Sequence, residues 1–477
     1  MQVHEKPFIH LYRSAREYYF YDVNKDSIVT INQNIYNYLD EKINFDELSI
    51  DDKQYIEKLL EDGYLSNKHF TEIRHPMTDK IRNILDGHCK QLILQVTQSC
   101  NLICSYCPYA AKTNNVLQRD HSNRSMDWEI AKKSIDFFAE HSKFNQEVNI
   151  SFYGGEPLIA FELIKKCVAY CKKLFLGKHC IFNMTTNGTL FTDEIIAYLS
   201  ENHFEVMFSI DGPASVHDIN RKKIDHSGSF SSMFNNLKKL YSAYSEQDRQ
   251  LIHANMVLSP DNDLDDVYSL FDDPFIKETG LHFDVVVADD QFLTERLEFP
   301  DEFRSKFKYY DFLSLISELK LIDGLQLPPF YKNLMLRLKH NYIQYKHGRV
   351  YMPDTGAPGG PCVPGLNRLF VTVTGDFFSC ERVSEVSDCM CIGNVNDGFD
   401  YEKTGRLLNV AQDTAEKCKN CYAIHHCTLC QSYSDDQGVL SGKKRMSHCP
   451  SSYSNIDNEI MKCILLKEAK TVYSWRS

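Results

Sequence analysis

Residues 92–107 read LILQVTQSCNLICSYC, and this stretch decides the fold. Its first seven residues, 92–98, form an apolar run of strand length. Immediately behind it stand Cys100, Cys104 and Cys107 in C-x3-C-x2-C spacing. Three thiolates on so short a loop can hold three irons of a [4Fe–4S] cluster and leave the fourth iron without a protein ligand. A structural zinc site normally closes with four ligands, and no fourth Cys or His sits close by, so zinc is the weaker reading.

Working outward, apolar strand runs recur at 147–155, 180–188, 205–212, 251–259 and 281–289. Helical periodicity separates them, as at 163–175 and 232–244. Six strand–helix repeats predict an α/β fold with a parallel sheet and right-handed crossovers, a partial (β/α)6 barrel. Function is then expected at the C-terminal ends of its strands. Those ends carry Gly154-Gly155-Glu156-Pro157, Thr186-Asn187-Gly188, and Ser209 with Asp211, and Arg221 follows. Singly each is weak, because a Gly pair is usually a turn and a lone Arg a solvated residue. Together, at successive strand ends behind the cysteine loop, they make a strong signal.

Across most of residues 90–290 the sequence resembles the radical S-adenosylmethionine superfamily, carried by the cysteine loop and by GGEP at 154–157. The resemblance implies that the open iron chelates S-adenosylmethionine and reduces its sulfonium to give a 5′-deoxyadenosyl radical. It also implies a cofactor-binding set of Tyr106, Gly154, Gly155, Glu156, Thr186, Asn187, Ser209, Asp211 and Arg221. In that set Glu156 suits the ammonium, Ser209 and Asp211 the ribose, and Arg221 the carboxylate.

A second cysteine field follows, with Cys362, Gly375 and Cys380 in C-x12-G-x4-C spacing. Cys418, Cys421, Cys427 and Cys430 then give C-x2-C-x5-C-x2-C, and Cys449 stands alone. The field resembles the SPASM domain, which carries two auxiliary [4Fe–4S] clusters and brings the expected total to three. The usual pattern has three residues before its sixth cysteine where this chain has two, which leaves the ligation of Cys430 open. By resemblance Cys418, Cys421, Cys427 and Cys449 close a distal cluster, and Cys362, Cys380 and Cys430 hold a proximal one. A pair of zinc knuckles is the alternative. Glu381 matches the position of a catalytic base in sulfatase-maturing relatives, where a base needs a pKa near the working pH. Cys389 and Cys391 lie in the same field and either is a candidate ligand.

Residues 1–85 form a unit of their own, with strands at 18–20 and 28–31 joined by a turn at Asn24-Lys25-Asp26. A helix follows at Ile35–Leu39, and a second opens near Ser49 with Asp52 as a weak capping box. A hairpin followed by helices resembles the winged-helix leader-recognition element of enzymes that modify ribosomal peptides, the bland alternative being a mere extension. The remaining boundaries are a radical core at 86–289, a helical connection at 290–355 and an irregular cysteine-rich domain at 356–477, held together by metal. The 477 residues carry a net charge of −12, which argues against non-specific nucleic-acid or anionic-membrane binding. No apolar run approaches the ~20 residues of a membrane span. Seventeen cysteines without an export signal point to metal in a cytoplasmic protein.

The reading that unites these features is a maturase. It binds a ribosomal precursor peptide through its leader, takes electrons from a donor such as flavodoxin or ferredoxin, abstracts hydrogen and closes a cross-link. Only three cysteines remain for the proximal cluster, and the stretch 351–361 offers no fourth, so a Cys thioether is the favoured product. A formylglycine-forming sulfatase maturase and C–C or C–O cross-linking are the enzymatic alternatives. A cluster protein for electron transfer or sensing is the non-enzymatic one, and it has no use for a cofactor pocket.

Overall fold

A computed structural model describes residues 6–107, 109, 121–288, 298–322, 327–347, 352–360 and 362–473. The end of the expected strand at 289, parts of the connection 290–355, and positions 351 and 361 lie outside the described residues.

The N-terminal unit is a three-stranded antiparallel sheet of β1 (Ile9–Arg13), β2 (Tyr18–Asp22) and β3 (Ser27–Ile31), in that spatial order. Helices α1 (Gln33–Leu39) and α2 (Ile50–Glu61) follow. Asn32 caps α1 by accepting from the Ile35 amide at 2.9 Å. Ser49 caps α2 by accepting from the Asp52 amide at 3.1 Å, and its own hydroxyl donates to Asp52 at 2.7 Å. The sequence reading counted two strands and missed β1. That strand alternates Ile9 and Leu11 with His10 and Tyr12, and it is completed by pairing along β2 from Ile9↔Asp22 to Arg13↔Tyr18.

The barrel strands are β4 (Gln91–Thr97), β5 (Glu147–Gly154), β6 (His179–Thr186), β7 (Glu205–Ser209), β8 (Ile252–Leu258) and β9 (His282–Val287). They are parallel and adjacent in chain order. Between them run helices such as α3 (Trp128–His141), α4 (Phe161–Leu174), α5 (Asp193–Glu201), α6 (Ala214–Asn220) and α7 (Phe230–Ala243). Leu92, Leu94, Ile150, Phe152, Phe182 and Phe208 are buried and alternate along the strands with more polar positions such as Asn149 and Asn183.

The cysteine-rich region differs from the irregular segment expected. Strands β10 (Leu369–Val371), β11 (Asp376–Phe378), β12 (Cys391–Asn394) and β13 (Gly398–Phe399) extend the barrel sheet to ten strands. β10 lies parallel to β4, with Leu369 opposite Leu92, so one core spans the barrel and this extension. Strands this short carry no readable alternation, and pairing with the existing sheet edge defines them.

The connection contains α8 (Asp301–Glu318) and α9 (Pro329–His347), and the chain ends in α10 (Cys449–Tyr473). A second core joins Phe8, Tyr19 and Tyr21 of the N-terminal unit to Tyr345, Ile424 and Ile460. The N-terminal unit therefore rests on the second cysteine field and on α10. Its contacts include Tyr12 donating to Asp457 at 2.7 Å, and His426 with Asp26 at 2.7 Å.

Candidate active site

The loop carrying Cys100, Cys104 and Cys107 leaves the end of β4 and is pinned to the segment after α6. The amides of Ile103 and Ser105 donate to the carbonyls of Lys222 at 2.8 Å and Asn220 at 3.0 Å. Burial pushes the thiols of Cys100 and Cys104 up to about 12 and about 11, against the nearby charge of Arg221 at Cys104. A buried thiol set of this kind needs bound positive charge to ionise, as a metal group supplies. The donor set fits the iron–sulfur group implied by the sequence.

The glycines have a specific structural task. A Cβ on Gly154, whose φ is +138°, would stand 1.9 Å from the Thr97 carbonyl oxygen. One on Gly155 would stand 2.1 Å from that of Ser99. The end of β5 thus lies directly against the stem of the cysteine loop, with Gly155 and Glu156 amides donating to Thr97 and Ser99, both at 2.9 Å.

Glu156 is fully buried, and both of its oxygens accept from the chain. They take the Thr186 hydroxyl at 2.8 Å, the Leu158 amide at 3.2 Å and the Asn187 amide at 2.8 Å. Burial pushes this carboxyl up to about 7. Asn187 in turn donates to Asn101 inside the cysteine loop at 2.8 Å. The ends of β5, β6 and the cluster loop are therefore tied through one carboxylate, which is directed at chain donors.

Arg221 and Asp211 pair with each other. Nε of Arg221 donates to Oδ2 at 2.8 Å, and both residues are buried. Asp211 also accepts from the Tyr106 hydroxyl and, at 3.1 Å, from the Val257 amide. The guanidinium lies 5.4 Å from the Tyr106 ring centre. Ser209, also buried, ends β7. The structure thus brings Tyr106, Asp211 and Arg221 together at the cysteine loop.

In the second field, Cys418, Cys421, Cys427 and Cys449 line one cavity with Arg445 and Tyr453. These are the four residues expected to act together. Thr414 Oγ1 is 3.3 Å from Cys418 Sγ, and the Tyr453 hydroxyl is 3.8 Å from Cys421 Sγ. Among the described residues no three His, Cys, Asp or Glu side chains converge tightly enough for a single metal ion. A cavity walled by four thiols suits a cluster in their midst.

Cys380 and Cys430 lie close enough to interact, and burial pushes the Cys380 thiol up to about 12. Cys362 is exposed. Cys389 contacts Asp435 at 3.6 Å, and Cys391 contacts the Gly393 carbonyl at 3.3 Å. Glu381 accepts from Arg368 at 2.6 Å.

Sequence reasoning passed over Glu385. Its carboxylate accepts from Gln95 at 2.6 Å and Gln98 at 3.2 Å, at the end of β4 beside the cysteine loop. No motif marks it, and only the parallel docking of β10 on β4 brings its loop there. Arg445, Thr414 and Tyr453 were passed over for the same reason, since they meet the cysteines only in three dimensions.

The profile of the Radical SAM superfamily matches residues 94–273. That span is a radical SAM domain, and the chain is a radical S-adenosylmethionine enzyme whose cysteine-rich C-terminal region fits the SPASM pattern. Among curated relatives, the radical SAM cyclopropyl synthase TigE of Paramaledivibacter caminithermalis is 27% identical over 402 residues, covering 79% of this chain and 75% of that protein. The serine-type anaerobic sulfatase-maturating enzyme of Bacteroides thetaiotaomicron is 36% identical over 132 residues. That match covers 28% of this chain and 31% of the relative's length. Among solved structures, native anSMEcpe with bound AdoMet and Cp18Cys peptide shares the fold, with TM-score 0.58, 21% identity and coverage of 80% of this chain and 99% of that one. Among the described residues no helix is long and apolar enough to cross a membrane.

Proposed function

We propose that this enzyme is a peptide maturase that abstracts hydrogen from a residue of a ribosomal precursor peptide and closes a cross-link, with a Cys thioether as the favoured product. The observation that carries the reading is a groove of about 460 Å³ beside β3, the edge strand of the N-terminal sheet. It is lined by Val29, Tyr55, Leu59, Tyr64, Tyr342 and Lys467. An extended leader can add to such an edge and place alternate apolar side chains against the aromatic wall. In this reading residues 1–85 capture the leader, 86–289 form the radical core, 290–355 connect, and 356–477 carry two auxiliary clusters. Similarity to a fold solved in complex with a peptide supports a peptide substrate.

At the catalytic end, Cys100, Cys104 and Cys107 would hold a [4Fe–4S] cluster, which with S-adenosylmethionine would supply reductive cleavage and hydrogen abstraction. Glu156, Thr186 and Asn187 fix the strand ends that frame the cofactor, while Gly154 and Gly155 set how closely β5 meets the loop. Tyr106, Ser209, Asp211 and Arg221 would serve the cofactor's ribose and carboxylate, and the Arg221–Asp211 pair keeps the guanidinium oriented. Glu381 is the carboxylate assigned to take a substrate proton, and Glu385 is a second carboxylate at the end of β4.

Cys362, Cys380 and Cys430 supply three thiols for the proximal cluster. With three protein thiols, such a cluster would supply Lewis-acid chemistry toward a substrate thiol. The electron comes from a flavodoxin- or ferredoxin-like donor. The sulfatase-maturase reading is favoured by the 36% match to the Bacteroides enzyme, and there Glu381 is the base. The test is Val29→Arg, which fills the groove. Loss of precursor binding with retained uncoupled cofactor cleavage supports leader capture, and undiminished modification of the precursor contradicts it.

A further inference from the structure

Arg445 is the largest fully buried side chain of the described residues, at 2% exposure. It sits in a short helix, Gly442–Ser447, and its guanidinium donates to the carbonyls of Leu429 at 3.1 Å and Cys430 at 3.0 Å. Among the described residues no carboxylate pairs with it. A buried charge without a counter-ion is strongly unfavourable, so native folds supply one. The wall that Arg445 faces holds Cys418, Cys421, Cys427 and Cys449, together with a second cation, Lys417, and contains no acidic residue.

We propose that Arg445 is the built-in counter-charge of an anionic iron–sulfur group held by these four cysteines, and that it makes this group easier to reduce than the proximal one. This rests on the reading of the four cysteines as cluster ligands. Such a cluster on four thiolates is negatively charged and becomes more so on reduction, so an adjacent uncompensated guanidinium stabilises the reduced form. Thr414 and Tyr453 act in the same direction, because their hydroxyls can donate to the sulfurs of Cys418 and Cys421. The proximal side is built oppositely. Beside Cys380, Arg368 pairs with Glu381 at 2.6 Å, and Arg382 lies 3.9 Å from the same carboxylate. Arg445 also bonds the carbonyl of Cys430, which places this charge at the boundary between the two cysteine groups.

The test uses the full chain with Cys100, Cys104 and Cys107 changed to Ala, reconstituted anaerobically, so that only auxiliary signals remain. Iron is counted, and each auxiliary signal is followed by electron paramagnetic resonance through a redox titration. Arg445→Gln keeps an amide donor for the carbonyls but removes the charge. The higher-potential signal is expected to move to lower potential and Arg445→Lys to restore it. Should Arg445→Gln fail to fold or lose about one cluster of iron, ~4 atoms, while Arg445→Lys loads fully, the charge is again what the site requires. Unchanged potentials in a fully loaded Arg445→Gln protein overturn the proposal, as do Gln and Lys variants that behave alike. Absence of auxiliary iron in the chain with Arg445 intact overturns the cluster reading itself, and this inference with it.

Discussion

Replacing Glu156 by Gln separates a strand-end tie from a direct cofactor contact. The carboxylate accepts three donors, with Thr186 and Leu158 on one oxygen and Asn187 on the other. A carboxamide has one acceptor oxygen, so the variant turns an NH2 group toward at least one buried donor, typically costing about 1–3 kcal/mol. Local opening should then accelerate hydrogen exchange at the 156–160 and 184–190 peptides by roughly 5- to 150-fold.

The effect has a pH signature. Burial holds Glu156 at about 7 instead of 4.5, so between those values the folded chain keeps a proton that the unfolded chain has released. Its stabilising contribution is complete below pH 4.5 and is lost as the pH rises through 7, a change of about 3 kcal/mol. Gln does not titrate, so the gap between parent and variant should be widest at and below pH 4.5, shrink between pH 4.5 and 7, and be narrow by pH 8. A gap that widens with pH would refute the reasoning. So would a variant with parental exchange rates and only weakened S-adenosylmethionine binding, the behaviour of a carboxylate that serves the cofactor's ammonium.

Changing Cys100, Cys104 and Cys107 together to Ala should abolish 5′-deoxyadenosine formation and remove about one cluster's iron, ~4 atoms, leaving the auxiliary share; persistent cleavage would overturn the ligand assignment. Asp26 accepts from His426 at 2.7 Å, and although burial alone would raise its carboxyl, the histidine holds it below the usual range. Asp26→Asn should therefore loosen the N-terminal unit by about 1.5–3 kcal/mol, seen as faster proteolysis around residues 20–30. The parent should lose the same contribution as the pH falls through the carboxylate range. Val29→Arg should weaken precursor binding at least tenfold by fluorescence anisotropy while uncoupled cofactor cleavage continues.

The barrel was legible because each strand is an apolar run and each functional segment sits at a strand end. The expected strand at 147–155 and the observed Glu147–Gly154 differ by one residue. The grouping of Cys418, Cys421, Cys427 and Cys449 was implied by resemblance alone, and these four line one cavity. What escaped is tertiary. β10 has three residues and acquires its identity from Leu92 to Leu94 across the pair. Glu385 reaches Gln95 only because that pairing exists. The partners of Glu156 were also hidden, since GGEP reads as a ligand loop, while the geometry turns its carboxylate toward Thr186 and Asn187.

The central claim is hydrogen abstraction coupled to cross-link formation on a peptide. The direct measurement incubates the anaerobically reconstituted enzyme with S-adenosylmethionine, a strong reductant and a cysteine-containing precursor peptide. 5′-Deoxyadenosine and peptide mass are followed together, and free thiol is counted. The account predicts nucleoside formed in step with loss of two hydrogens per link and disappearance of the thiol into a bond that resists reduction. Nucleoside formed with an unchanged peptide, or conversion of one residue to formylglycine, would contradict it.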